Sequence, residues 1–153
     1  MSEKHALVAD TEHVTTTPLT ALRRGAFLTY RWLLLAFLLL GIVQIFLAGL
    51  GVFSLSSQKL GAAGETAFGP HRSVGFAMGG IALLILVLAL AARPGARAII
   101  LSTVLFLLTF LMQSVLASLA DEHAFFGGLH ALDGFVILGT AGYLYATSPR
   151  RQL

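Results

Sequence analysis

Cysteine is absent from this 153-residue chain, which excludes disulfides, thiolate metal sites, iron–sulfur clusters and covalent c-type haem attachment. Charge is scarce as well. Asp, Glu, Lys and Arg together make up 11%, where soluble domains carry about a quarter. There is no Gly-x-Ser-x-Gly, no His-Glu-x-x-His and no phosphate-binding loop, so nothing points to hydrolase or phosphoryl-transfer chemistry. The net charge of +3 and pI near 9.8 do not describe a nucleic-acid surface, because the arginines stand at the ends of apolar segments. The polar, mixed-charge start MSEKHALVADTEH predicts no cleavable signal peptide.

What is present is apolar: 57% hydrophobic residues, with a mean hydropathy of +0.87. The few charges leave runs long enough to cross a bilayer. Residues 1–17 read as a polar tail, and residues 18–153 as one all-α bundle with four spans at about 32–53, 71–92, 98–120 and 125–147. Thr17-Pro18 makes a helix start. Arg93-Pro94-Gly95 breaks the second span, Asp121-Glu122-His123 forms a polar turn, and Ser148-Pro149 ends the fourth. Gly51 to Gly69 is read as a loop. Short connections imply an up-down-up-down order.

The distribution of basic residues predicts orientation. Arg23, Arg24, Arg31, Arg93, Arg97, Arg150 and Arg151 fall on one side, against Lys59 and Arg72 on the other. Both termini are therefore expected in the cytoplasm of a multi-pass protein of the cell inner (plasma) membrane.

The segment Val43-Gln44-Ile45-Phe46-Leu47-Ala48-Gly49-Leu50 matches Met112-Gln113-Ser114-Val115-Leu116-Ala117-Ser118-Leu119. Glutamine, leucine, alanine and leucine coincide in register. After each segment comes a histidine followed four residues later by glycine: His71 with Gly75, and His130 with Gly134. The chain thus reads as two tandem helical hairpins. Positions i and i+4 share a helix face, so each histidine has a bare patch one turn along, and Gly79 extends it on the second span. Spans two and four become diagonal partners, with His71 and His130 at equal depth. Two such faces would hold something flat between two imidazoles, and a haem b with His71 and His130 as its metal ligands is the reading that follows.

Other residues attach to that site. Asp133, one turn inside His130, is expected either to accept an imidazole N–H, or to fix or pair with Arg72. Arg72 suits a haem propionate or serves as an interfacial anchor. Gln44 and Gln113 are expected to bond across helices and to approach the cofactor edge. His5, His13 and His123 have no matched partners and read as solvated.

From His71-Arg72 through Gly75 and Gly79, with Gln113 leading span three and His130 opening span four, residues 40–147 resemble one four-helix half of a haem A synthase. They also resemble small four-span bacterial membrane proteins of unknown function with this paired-histidine pattern and, more distantly, four-helix cytochromes b. The resemblance implies histidines at the outer ends of the second and fourth helices. With both axial positions filled, the expected role is membrane electron transfer or haem handling, with a membrane redox partner or quinone and a possible homo-oligomer. The rival expectation is a cofactor-free membrane scaffold or accessory subunit that packs through its glycine faces. Neither choice fixes whether the protein is an enzyme.

Overall fold

The computed structural model describes residues 18–57 and 63–148. Helix α1 spans Pro18–Ser57, α2 Ala63–Ala92, α3 Ala96–Ala120 and α4 Ala124–Thr147. Each is long and apolar enough to cross a membrane, and among the described residues there is no strand. The protein is a multi-pass, all-α membrane bundle. In hydrocarbon every backbone N–H and C=O must be bonded within the protein, which continuous helices achieve.

The breakers act where the residue types demand. At Arg93-Pro94-Gly95 the backbone turns through Arg93 at φ 52° and Gly95 at φ 124°. The second value lies where a side chain is strained, so glycine stands there. His123, extended at φ −140°, opens α4, and Ser148, extended at ψ 121°, closes it. Two expected boundaries move. The loop read at 51–69 shrinks, because α1 continues to Ser57 and α2 starts at Ala63, eight residues before the expected span at 71. Pro70 lies inside α2, and Ser73 Oγ bonds the Gly69 carbonyl at 3.1 Å. Arg97, expected before the third span, is already in α3. The tail at 1–17, with His5 and His13, and the segment 149–153 lie outside the described residues.

Helix α1 packs on α2, α2 on α3, α3 on α4, and α4 back on α1. The diagonals are therefore α1–α3 and α2–α4. Inward positions recur at helical spacing: Tyr30, Leu34 and Phe37 on α1, Met78, Ala82, Ile85 and Ala89 on α2, Leu105 on α3, and Ile137, Ala141 and Leu144 on α4. One polar pair sits in this core, with Tyr30 Oη and Ser102 Oγ 3.3 Å apart. Outward positions such as Leu39, Ile42, Phe46, Leu84 and Val87 are exposed, where lipid tails cover them. Small alanines on α2 let the helices approach, since association in lipid depends on close packing.

The third helix departs from α geometry at Leu107–Met112, which form a π-helical stretch. The Gln113 N–H there bonds the Leu108 carbonyl five residues back. Such a wide turn shifts the angular register of everything after it.

Because Ala82 is fully buried, Ala82→Leu should overpack the bundle by about 1–3 kcal/mol. Thermal unfolding in detergent should show a clear drop, whereas Leu83→Ala, on the 45%-exposed lipid side, should change it little.

Candidate functional site

Toward the Asp121-Glu122-His123 end, the repeat becomes a three-dimensional site. On α2, His71 Nδ1 lies 3.2 Å from the backbone carbonyl of Gln44 on α1. On α4, His130 Nδ1 lies 3.2 Å from the backbone carbonyl of Gln113 on α3. The two halves match in atom and distance. A carbonyl only accepts, so each hydrogen bond needs an Nδ1–H, and each neutral ring keeps its Nε2 lone pair. Across the α2–α4 diagonal the two imidazole rings meet with centroids 6.1 Å apart and planes at 60°.

The matching extends one turn along each helix. A Cβ built on Gly75 would lie 3.2 Å from Gln44 Nε2, and one on Gly134 would lie 3.9 Å from Gln113 Nε2. The Gly75 patch is thus closely approached by the amide of Gln44, while Gly134 has room for a Cβ beside Gln113. Gly79 is closely approached as well, by Phe110 at 3.1 Å, and Phe110 in turn stacks on Phe106 at 5.6 Å.

The halves differ in one way. Gln113 Nε2 donates to the His130 carbonyl at 3.0 Å and to Asp133 Oδ2 at 3.1 Å. The residue three after His71 is Val74, so Gln44 meets no carboxylate there. Its Oε1 is buried and has no hydrogen-bond partner among the described residues. Asp133 is accordingly a partner of Gln113. Among the described residues it forms no ion pair with Arg72, which is exposed, and its carboxylate bonds no imidazole N–H. Gln113 was expected to bond across helices, and it does so at two points of α4.

Phe68 is not among the residues expected at the site. Its ring meets His71 edge-on at 6.2 Å and covers Gly51, where a Cβ would come within 2.6 Å. The spacing from Phe68 to His71, three residues on one helix face, is the signal that could have found it. His123 stands apart, exposed, against the ring of Phe126 at 6.4 Å.

His71 and His130 are the residues that could hold a metal between two imidazoles. With metal–imidazole bonds of about 2.0 Å and a ring nitrogen about 1.1 Å from its ring centre, two opposed ligands have centroids about 6.2 Å apart. The observed separation is 6.1 Å, with the two rings edge to face at 60°. Among the described residues no group of three or more His, Cys, Asp or Glu is placed to hold a metal.

The sequence matches, over residues 44–120, a family described as a family of unknown function, DUF6220. The chain belongs to that family. The match begins at Gln44 and runs through His71, Gly75, Gly79 and Gln113 to the end of α3. No curated protein and no solved structure matches it.

The inequality of the two glutamines is measurable. Gln113→Leu leaves Asp133 without its donor and should destabilise, with a coupling to Asp133→Leu of about 0.5–2 kcal/mol in a double-mutant cycle. Gln44→Leu removes an unsatisfied buried oxygen and should be close to neutral or stabilising. Denaturant unfolding in mixed micelles reads both.

Proposed function

We propose that this DUF6220 protein binds one haem b through His71 and His130 and serves membrane electron transfer or haem handling. The observation that carries this reading is the facing imidazole pair at 6.1 Å, each ring tied through Nδ1 to a main-chain carbonyl of its own hairpin. A metal-ligating histidine characteristically donates its other N–H to a carbonyl or carboxylate, which fixes tautomer and orientation. Haem supplies one-electron chemistry, and ligation by two imidazoles leaves no open position for oxygen.

The chain's own residues divide the work. Gln44 and Gln113 aim the imidazoles with their carbonyls. Their side-chain amides stand beside Gly75 and Gly134, the glycines that would lie against a bound haem. Asp133 places a carboxylate one turn from His130, with Gln113 holding it. Arg72, exposed beside His71, is available for a propionate.

A second reading has its own observation. Gly41, Gly51, Gly75 and Gly79 all meet neighbouring side chains, as a cofactor-free scaffold or accessory subunit packed through small residues requires. The two readings part on one measurement, the visible spectrum of protein purified with haem supplied. Haem binding gives a low-spin six-coordinate spectrum. His71→Ala and His130→Ala each abolish it, while His123→Ala leaves it intact. A protein without a Soret band under these conditions is the scaffold.

Two further outcomes follow from the same reading. Asp133→Asn removes negative charge near the iron, which destabilises the ferric form, so the midpoint potential rises. An unchanged potential would separate Asp133 from the haem. Orientation rests on the basic residues of the sequence, seven on one side against two on the other, and puts the termini in the cytoplasm and the histidines at the outer face. A cysteine introduced at Ser57 should react with an impermeant thiol reagent in intact cells, and reaction only after permeabilisation would reverse that arrangement.

A further inference from the structure

The repeat extends past the histidine site onto the outer surface of the bundle. Five and nine residues after His71 stand Phe76 and Gly80; five and nine after His130 stand Phe135 and Gly139. Both halves read His-x-x-x-Gly-Phe-x-x-x-Gly. The first glycine of each lies beside a glutamine of the site, and the Phe–Gly pair that follows faces outward. Phe76 is 71% and Phe135 65% exposed. A Cβ built on Gly80 or Gly139 would meet nothing within 4 Å among the described residues. Residues four apart share a helix face, so α2 and α4 each present a ring beside an open glycine. Neither pair belongs to the imidazole site or to the core.

Inside the bundle, glycine is where neighbouring helices come close. Gly41 of α1 lies against Leu138 of α4, Gly51 of α1 against the Phe68 ring of α2, and Gly79 of α2 against the Phe110 ring of α3. The two outer faces also differ in a complementary way. Beside the α2 pair stand Ser73 and Ala77, both small and exposed. At the equivalent places beside the α4 pair stand Leu132 and Val136, also exposed. One face is recessed where the other bulges. The contact between the His71 and His130 rings sets the two faces at equal depth. Helices α2 and α4 run in the same direction, and as diagonal partners they point to opposite sides. One turn beyond Gly139, toward the end of the bundle that carries Arg31, Arg93 and Arg97, Arg97 lies over Tyr143 at 4.9 Å and bounds the α4 face at this arginine end.

We infer that the protein self-associates in the bilayer, with the α2 face of one copy against the α4 face of the next. Gly80 and Gly139 stand opposite each other where the two parallel helices cross. Phe76 and Phe135 stack across the seam one turn outward, and Leu132 and Val136 fill the flats left by Ser73 and Ala77. Helices in lipid associate through such close packing, and an aromatic pair adds to it. Pairing α2 with α2 would leave the recesses unfilled, and pairing α4 with α4 would set Leu132 and Val136 against each other. A second copy supplies the complementary face, since each chain carries both. The contact is head-to-tail, so the association extends into a row or closes into a ring.

The chain has no cysteine, so introduced thiols report the seam alone. Full-length Ala77→Cys and Val136→Cys variants, each with its own tag, are coexpressed in one membrane and oxidised. The mixed product should exceed either self-linked product about tenfold, the ratio that one overpacked contact supplies. Gly80→Leu on the Ala77→Cys chain, or Gly139→Leu on the Val136→Cys chain, should cut the mixed product by about the same factor. Both glycines lie outward, so thermal unfolding should stay that of the parent. Ile42→Cys on α1, 64% exposed, measures random collision when paired with Ala77→Cys. Mixed product no greater than that control overturns the proposal. Self-linked Ala77→Cys equal to the mixed product also overturns it, by making the contact a symmetric one. So does a mixed product that survives both leucine substitutions, or a linked band that contains a different protein. Should the leucine variants fail to fold, subunit counting of the wild-type protein by photobleaching in lipid nanodiscs decides, since two or more copies support the association and single copies refute it.

Discussion

Inside a bilayer a polar side chain has no water to fall back on, and its partners must come from the protein itself. That constraint governs the histidine end of this bundle. An imidazole needs an acceptor for its N–H, and the nearest supply is the main chain of the adjacent helix. A helical carbonyl already accepts one bond from its own helix but retains a second lone pair. His71 and His130 each use such a carbonyl, at Gln44 and Gln113. The close approach that this requires explains the glycines one turn further on, where the amides of the same two glutamines fit. Histidine, glutamine and glycine therefore form one unit, repeated once.

The repeat was legible because it is written in residue identities at fixed spacing, and it correctly placed α2 and α4 on the diagonal. The separation between glutamine and histidine is 27 residues in one hairpin and 17 in the other. The surplus of ten lies in the first connection, which lengthens helices without disturbing the unit. Other features were not legible. The reach of α1 to Ser57 and of α2 back to Ala63 escaped because a stretch rich in serine, glycine and alanine suggests a loop, whereas the need to bond the backbone overrides such weak local preferences. Asp133 was expected to meet an imidazole N–H or Arg72, because a carboxylate in a span suggests a charged or histidine partner. Gln113, an uncharged donor already held against the His130 backbone, reaches the carboxylate first.

The π-helical stretch Leu107–Met112 left no mark in the sequence pattern, since it changes the winding and not the residue types. It immediately precedes the repeated segment of α3. Helix α1 arrives at Gln44 through regular winding, and α3 arrives at Gln113 through a wide turn. Two different routes converge on one local geometry, which locates the shared requirement in the glutamine–histidine contact and not in the helices that carry it.

The buried apolar side chains are unevenly spread along the bundle. From Phe27 to Phe37, Ala82 to Ala89 and Ala141 to Leu144 they are dense at the arginine end, while on the far side of Gln113 Leu116 is the single buried apolar side chain among the described residues. Backbone amides should exchange with solvent along the same gradient, slowest near Leu34 and Ile85 and fastest beyond the histidines. Among the described residues the bundle is thus clamped by its apolar core at the arginine end, while the histidine end is held chiefly by the polar contacts of His71, His130, Gln113 and Asp133.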